Sequence, residues 1–234
     1  MSLHVKKLVT LLMLLGSHVG FSGTMGADKT AETYNGVYVG ANIGASDLQD
    51  KAIHYYSPET HHLGGIGIVG GGLLGYDVAV TDKVRVGIEG FAQAAGLNSS
   101  IQHYDQTTGV QDNSEEINSR YNLGVRVLPG YQFTEATEGH FILGYANAHF
   151  KQFDNGTYGY IDTDFNQSGL QGGLGWKSNI INPHAFMRFD VLYTRYSGQV
   201  STGTGLSGSG SPYQYYSDNF STLEADLTFI YKFN

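Results

Sequence analysis

The groups in this chain that could do chemistry are carboxylates, bases and histidines, and their spacing decides which chemistry is open. Among 234 residues there is no cysteine, which removes disulfide frameworks, zinc ribbons and thiol catalysis together. A metal centre would have to use histidine, and His54, His61 and His62, with Glu59, form the densest set. Adjacent side chains on an extended chain point to opposite faces, so His61 and His62 do not converge on one ion. No metal and no other cofactor is expected. His149 runs into Phe150-Lys151 and His184 into Ala185-Phe186, so neither has a nucleophile beside it. What remains is a set of eleven charges that must serve one another: Asp77, Arg85, Glu89, Arg120, Arg126, Lys177, Arg188, Asp190, Glu224, Asp226 and Lys232. Bases and acids nearly balance in it, as a buried network requires, because an unpaired buried charge is very costly.

The elements that carry this set are strands. The chain has 33 Gly, 17 Tyr and 12 Phe but only 15% charged residues, a poor match to a helical or α/β enzyme. From Tyr34 onward nothing keeps a helical period. In Val37-Tyr38-Val39-Gly40-Ala41-Asn42-Ile43-Gly44-Ala45-Ser46 the odd positions are apolar and the even ones Tyr, Gly, Asn, Gly and Ser, the period of two that marks a strand. The same alternation predicts seven more, at about 65–78, 84–94, 119–133, 140–150, 168–178, 184–195 and 220–233. One face of each is apolar, as in Tyr121, Leu123, Val125 and Val127, and the eleven charges fall on the other.

Such segregation suits a secreted β-sandwich with its apolar face inward, or a barrel with that face turned to lipid. The connections favour the barrel. They alternate between long (about 47–63, 97–118, 151–166 and 197–218) and short (about 79–83, 134–139 and 179–183), which is the outer-membrane pattern. Aromatics near the short turns, Tyr76, Tyr131, Phe133, Phe141, Trp176, Tyr231 and Phe233, suit a girdle at the head-group level. Pro129 cannot donate to a ladder and predicts a bulge or ladder defect near a turn. Asn147 and His149 fall on the nominal lipid face, so either they stand above the hydrocarbon or their strand is bulged. The expected fold is all-β, an eight-stranded antiparallel transmembrane barrel with short periplasmic turns and four long extracellular loops.

At the amino terminus, Lys6 and Lys7 precede an apolar run of about 12 residues, the form of a secretory signal peptide and too short for a bilayer core that needs roughly 20. The expected organisation is a signal peptide over 1–26, cleaved after Ser22 or Gly26, and a barrel over 34–234. Loss of the two lysines takes the formal charge from −8 to about −10, which leaves no basic footprint for nucleic acid.

Tyr38-Val39-Gly40-Ala41-Asn42-Ile43-Gly44, Gly70-Gly71-Gly72-Leu73-Leu74-Gly75-Tyr76-Asp77, Val86-Gly87-Ile88-Glu89-Gly90, Leu128-Pro129-Gly130-Tyr131 and the aromatic-alternating last strand resemble, in order and spacing, the small eight-stranded outer-membrane barrels of the OmpA, OmpX and Opa kind. The resemblance covers almost the whole mature chain. It implies insertion by the barrel-assembly machinery, which in such families reads a terminal aromatic; here Phe233 is followed by Asn234. It also implies that a lumenal carboxylate and base could re-pair to open a narrow ion path, with Glu89 and Arg188 at the matching strand positions and Arg126 near another. A barrel-type lipid A deacylase would resemble a His-x-Ser-Asn run, which does not occur here, and an omptin-like protease would want a longer chain. No catalytic residue is assigned and no enzyme is expected. Because Asn234 ends the last strand, no peptidoglycan-binding domain is expected after it.

Eight strands enclose only enough room for side chains, so the lumen is expected to be plugged by the charged set. The long connections hold most of the excess acid, including Asp47, Asp50, Asp105, Glu115, Glu116, Asp154, Asp162 and Asp164, together with Tyr55, Tyr56, Tyr104, Tyr158, Tyr160, Tyr213, Tyr215 and Tyr216, which bring contact area at little entropic cost. The expected role is structural or adhesin-like, through a host-surface ligand, and the expected state is a monomer. Lys151 and Arg195 stand at the rim, where they could meet lipopolysaccharide phosphates or snorkel.

Overall fold

The computed structural model describes residues 35–54, 60–104, 111–156, 159–180, 184–206, 212–217 and 220–233. The signal peptide expected over 1–26 lies outside them, as do Tyr55, Tyr56 and Tyr158 and the side chains of His54, Glu59, His61 and His62. Among the described residues ten strands follow one another: β1 (Gly36–His54), β2 (Thr60–Ala79), β3 (Val84–Tyr104), β4 (Gln111–Thr134), β5 (Thr137–Gly156), β6 (Gly159–Asn179), β7 (Ala185–Tyr196), β8 (Gln199–Leu206), β9 (Pro212–Ser217) and β10 (Ser221–Lys232). Every pairing is antiparallel. Neighbours pair from β1 to β7, then β7 with β10, and β10 closes on β1, so eight strands make the barrel. β8 and β9 form a hairpin above it, with β9 on the upper end of β1 and β8 touching β6 through Tyr160 and Thr204.

The stagger of the barrel follows from its register. A path straight across the strands from Val39 meets Leu74, Gly90, Val125, Tyr145, Leu170, Arg195 and Ser221, and returns to β1 at Gln49, ten residues along. For eight strands that stagger gives a tilt of about 40° and a backbone radius of about 8 Å. Side chains alone fill such a space.

The two faces are those of a membrane barrel. Leu170 is 73% exposed and Ile68 69%, while Glu89, Arg188 and Asp190 are at most 2% exposed. A sandwich in water would reverse this. Among the described residues no helix is long and apolar enough to cross a membrane; this chain crosses with strands. Near the short turns Tyr131, Phe133 and Trp176 touch in series at 5.5 and 5.8 Å, and His184, Tyr231 and Phe233 at 6.1 and 5.2 Å. Tyr76 and Phe141 are exposed on the same outer wall. The β2–β3 turn is closed by Val80 N donating to Val84 O at 2.9 Å and by the Thr81 hydroxyl accepting from Val84 N at 3.0 Å.

The strands are longer than the alternation predicts. β1 to β6 run 19 to 24 residues, about twice what a bilayer requires, and their upper halves take up much of the expected long connections. The reason is a change of solvent. Above the hydrocarbon the outer face meets water, so polarity inverts: Asn98, Lys151, Asp162 and Asp164 face out there, while Leu97, Ile117, Phe150 and Phe165 are buried. Period two survives with its sign reversed, and polar residues in strand resemble loop.

Two local features bear on the site. At Pro129 pairing with β5 lapses between Val127–Leu143 and Gly130–His140 without a change of register, so the predicted defect is a gap in the ladder and not a bulge. Between Ser119 and Tyr121 the register with β5 does shift. Buried positions are odd before that point and even after it, and Arg120 and Tyr121 both face out, as a classic bulge dictates.

Candidate functional site

The lumen is a stack of three layers. Nearest the periplasmic turns, Asp77 accepts from Lys177 Nζ and Lys232 Nζ, each at 3.1 Å. Lys177 also pairs with Glu138 at 3.2 Å, and Arg85 reaches Glu138 at 3.6 Å while donating to Gln132. Alternation along β2, β3, β5, β6 and β10 brings these residues to one level. A cavity of about 10 Å³ lies between this layer and the next, lined by Tyr38, Asp77, His140, Lys177, Arg188 and Lys232 among others, room for about one water.

In the middle layer Arg188 crosses the lumen from β7 to grip both oxygens of Glu89 on β3, at 2.7 and 3.0 Å. The planar fork of arginine matches a carboxylate in this way. Arg188 Nε lies 2.7 Å from Asp190, which meets His140 at 3.0 Å. Glu89 also accepts from Tyr38 at 3.1 Å and pairs at 3.5 Å with Arg126, its cross-strand neighbour. Arg126 donates to Gln171 at 2.6 Å and lies 3.7 Å over the Phe91 ring. Glycine makes the space. A Cβ at Gly75 would overlap the Tyr38 ring, and one at Gly175 would strike His140 and Asp190, which is why the tight interior carries glycine where these larger groups lean. Above this network Asn42 and Gln93 donate to Asp226, at 2.9 and 3.0 Å, and Gln93 also to Glu224 at 2.9 Å.

The third layer is apolar. Leu48, Leu97, Ile117, Ala148, Phe150, Phe165, Tyr196 and Phe220 close the extracellular end, each at most 9% exposed. Phe150 sits at the centre, with Phe220, Tyr196 and Phe165 at 5.2, 5.5 and 5.8 Å. The sequence reading missed this layer: Leu48, Leu97, Ile117 and Phe165 fell in its long connections, and Ala148, Phe150 and Phe220 stood at the ends of its strands with no inward apolar role assigned. Its signal was there: apolar residues on the lumenal parity, beyond the last lipid-facing residue of the strand.

Ten of the eleven charges expected in the lumen are found there, with Lys177 partly exposed at its lower end. Arg120 is the correction. The bulge carries it onto the outer face, exposed, because one inserted residue flips the faces of everything before it. Asn147 and His149 do face outward without a bulge of their own, and polar neighbours meet them: Asn147 donates to Ser168 at 3.0 Å, and His149 bonds Asn166 at 3.0 Å and stacks on Tyr121 at 5.0 Å. They mark the upper edge of the apolar band. Lys151, one step higher, pairs with Asp162 at 3.0 Å, and Arg195 is exposed at the top of β7.

Comparison with known proteins agrees with this architecture. The family described as outer membrane protein beta-barrel domain matches residues 17–233. No curated protein matches the chain. Among solved structures the chain is similar to Ail, the attachment invasion locus protein of Yersinia pestis (13% identity, 84% of this chain and 98% of that one, TM-score 0.41), to Neisserial surface protein A (12%, 86% and 99%, 0.43) and to OprG of Pseudomonas aeruginosa (13%, 86% and 97%, 0.40). The chain belongs to the outer membrane protein beta-barrel domain family.

Proposed function

We propose that this outer-membrane barrel is a structural and surface-interaction protein, not an enzyme, which is exported by its amino-terminal signal segment and meets its partner through the extracellular ends of its strands. One observation carries the reading: the lumen is filled from end to end, by two ion-paired layers and an aromatic cap, while six strands and the β8–β9 hairpin rise above the membrane as a platform. A closed interior leaves the outer surface as the place to act. The acidic, tyrosine-bearing segments on that platform suit a basic or neutral partner. They would repel a polyanion such as the heparin analogue that accompanies Ail. Arg120, Lys151 and Arg195 on the outer rim suit lipopolysaccharide phosphates.

A second reading, a narrow ion path, has one observation in its favour. Glu89 contacts both Arg188 and Arg126, so the carboxylate has an alternative partner within reach. The two readings separate experimentally. Replacing the segments at 55–59 and 105–110 with short turns should abolish cell-surface adhesion and leave single-channel currents in planar bilayers unchanged. Glu89→Ala and Arg188→Ala should alter current and leave adhesion intact if the path is real; adhesion that survives every loop replacement would sink the first reading.

A further inference from the structure

On the outer wall β2, β3, β4 and β5 frame a groove of about 790 Å³ that opens toward the lipid. Gly72, Gly90 and Ala92 make its floor, on the outward faces of β2 and β3, with Gly72 opposite Ala92. Leu74 bounds it on the β2 side, and the cross-strand pair Val125 and Tyr145 bounds it on the other, each more than half exposed. Nothing inside the wall calls for glycine here. A Cβ at Gly72 would meet only the Gly40 carbonyl at 3.6 Å, and one at Gly90 only the Gly124 carbonyl at 3.9 Å, both ordinary contacts, and neither backbone is left-handed. Gly75 and Gly175 differ, because lumenal side chains occupy the places their Cβ atoms would take. Glycine inside a strand gives up stability, and where the protein's own packing does not need the space, a close approach from outside the wall does.

The second observation lies above the groove. Along β5 the outer face climbs from Tyr145 through Asn147 and His149 to Lys151, and along β4 from Leu123 through Tyr121 to Arg120. Arg120 faces out only because of the bulge, a device that re-aims a side chain. It is exposed and, among the described residues, has no acidic partner, whereas Lys151 holds Asp162 at 3.0 Å. From Leu123 to Arg120 the strand climbs roughly 10 Å, a distance that a lipid head group covers. A free guanidinium at the upper edge of the apolar band suits a phosphate.

We propose that the groove seats an acyl chain of lipopolysaccharide whose lipid A phosphate is held by Arg120. The inference rests on the reading of the rim as a surface facing lipopolysaccharide phosphates, and it adds the place where the chain of that lipid is fixed. Arg120 stands at the extracellular end of the wall, so the leaflet it meets is the one that carries lipopolysaccharide. Chain and wall are equally apolar, so seating gains nothing from leaving water; it comes from close packing of the chain on exposed backbone, as small residues allow between membrane helices. The phosphate contact then selects the lipid. A second copy of the barrel could lie on the same glycine floor, but it would leave Arg120 without an anion.

The test uses the full chain refolded into detergent and native mass spectrometry with deep-rough lipopolysaccharide. The lipid should stay bound, and Gly72→Leu with Gly90→Leu, which fills the groove, should weaken it about tenfold. Gly172→Leu, an outward glycine of β6 away from the groove, should leave binding unchanged. Arg120→Ala should weaken binding about tenfold and have no effect on a lipid A stripped of its phosphates. Equal binding by the groove variant and the wild type overturns the proposal; if Arg120→Ala still weakens binding in that case, the reading of the rim stands without the groove. Phosphatidylglycerol held as tightly as lipopolysaccharide overturns the choice of lipid, and a dimer in detergent that the groove variant abolishes assigns the wall to a second copy. If the groove variant does not fold, Ala92→Cys decides in a chain that otherwise lacks cysteine. Lipopolysaccharide should slow its reaction with a maleimide and leave that of Gly172→Cys unaffected, and equal rates at Ala92→Cys with and without the lipid overturn the seat.

Discussion

Arg188 on β7 binds both carboxylate oxygens of Glu89 on the far wall of the barrel, 99 residues away in sequence. The pair ties β7 to β3 across the lumen, and Arg126 and Tyr38 complete the coordination of Glu89. Removing the carboxylate leaves two guanidinium groups buried with one acid fewer between them. Glu89→Ala should therefore cost about 3–5 kcal/mol of stability, the usual penalty for breaking a buried pair from one side. Glu89→Ala with Arg188→Ala should cost less than the sum of the two single changes. Urea unfolding in detergent, read by the mobility difference between folded and unfolded barrel on a gel, measures both.

Phe150 is the centre of the extracellular cap and fully buried among three other rings. Its truncation leaves a cavity that the barrel wall cannot collapse to fill. Phe150→Ala should cost about 3–5 kcal/mol, and Phe150→Leu clearly less. The same unfolding assay ranks them, and a ranking in which Phe150→Ala equals an outward change such as Leu170→Ala would show that the cap contributes nothing.

Lumenal and lipid-facing glycines should behave in opposite ways. A Cβ at Gly175 collides with His140 and Asp190, whereas one at Gly172 meets nothing within 4 Å. Gly175→Ala should impair refolding, and Gly172→Ala should be neutral or slightly stabilising, because a strand loses less entropy with alanine than with glycine. Refolding yield into detergent distinguishes the two in one experiment.

Much of this fold is legible from period two alone. Eight lipid-facing stripes and their lumenal charges follow from the parity of Val39, Leu74, Leu123 or Leu227, because lipid outside and a tight interior impose opposite demands on alternate residues. Two things escape that rule. Parity cannot detect an inserted residue, so Arg120 counts as lumenal until the pairing of Ser119 and Tyr121 with β5 reveals the bulge. Nor does a lipid-based template continue where lipid ends: Ile117 and Phe165 are strand residues of a soluble-type barrel stacked on a membrane one, and their inward parity reads as loop if only apolar-outward alternation is sought. The cross-lumen pairings, such as Arg188 with Glu89, depend on which walls the stagger brings face to face, and no local pattern encodes that.

The bulge makes its own prediction. The chain contains no cysteine, so single-cysteine variants label without background. Arg120→Cys should react on intact cells with a membrane-impermeant maleimide, since position 120 is exposed above the apolar band. Arg126→Cys should stay unreactive until the barrel is unfolded, since position 126 is 2% exposed. Reaction at both positions, or at neither, would refute the face assignment of β4.

Lys151 offers a pH signature outside the membrane. It donates a hydrogen bond to Asp162, and that bond and the carboxylate charge hold its ammonium group above the ordinary lysine range. A raised pKa in the folded state means that the pair stabilises fully below the unfolded lysine value and loses its contribution as pH rises through the folded one. The pH dependence belongs to the alkaline limb of the stability curve; at neutral pH the contribution is fully present. With both side chains partly open to water it is small and screened by salt. An NMR titration of selectively labelled lysine should show Lys151 titrating at higher pH in the unmodified protein than in Asp162→Asn. Coincident titration of Lys151 in the two proteins would mean that the pair is not populated in solution.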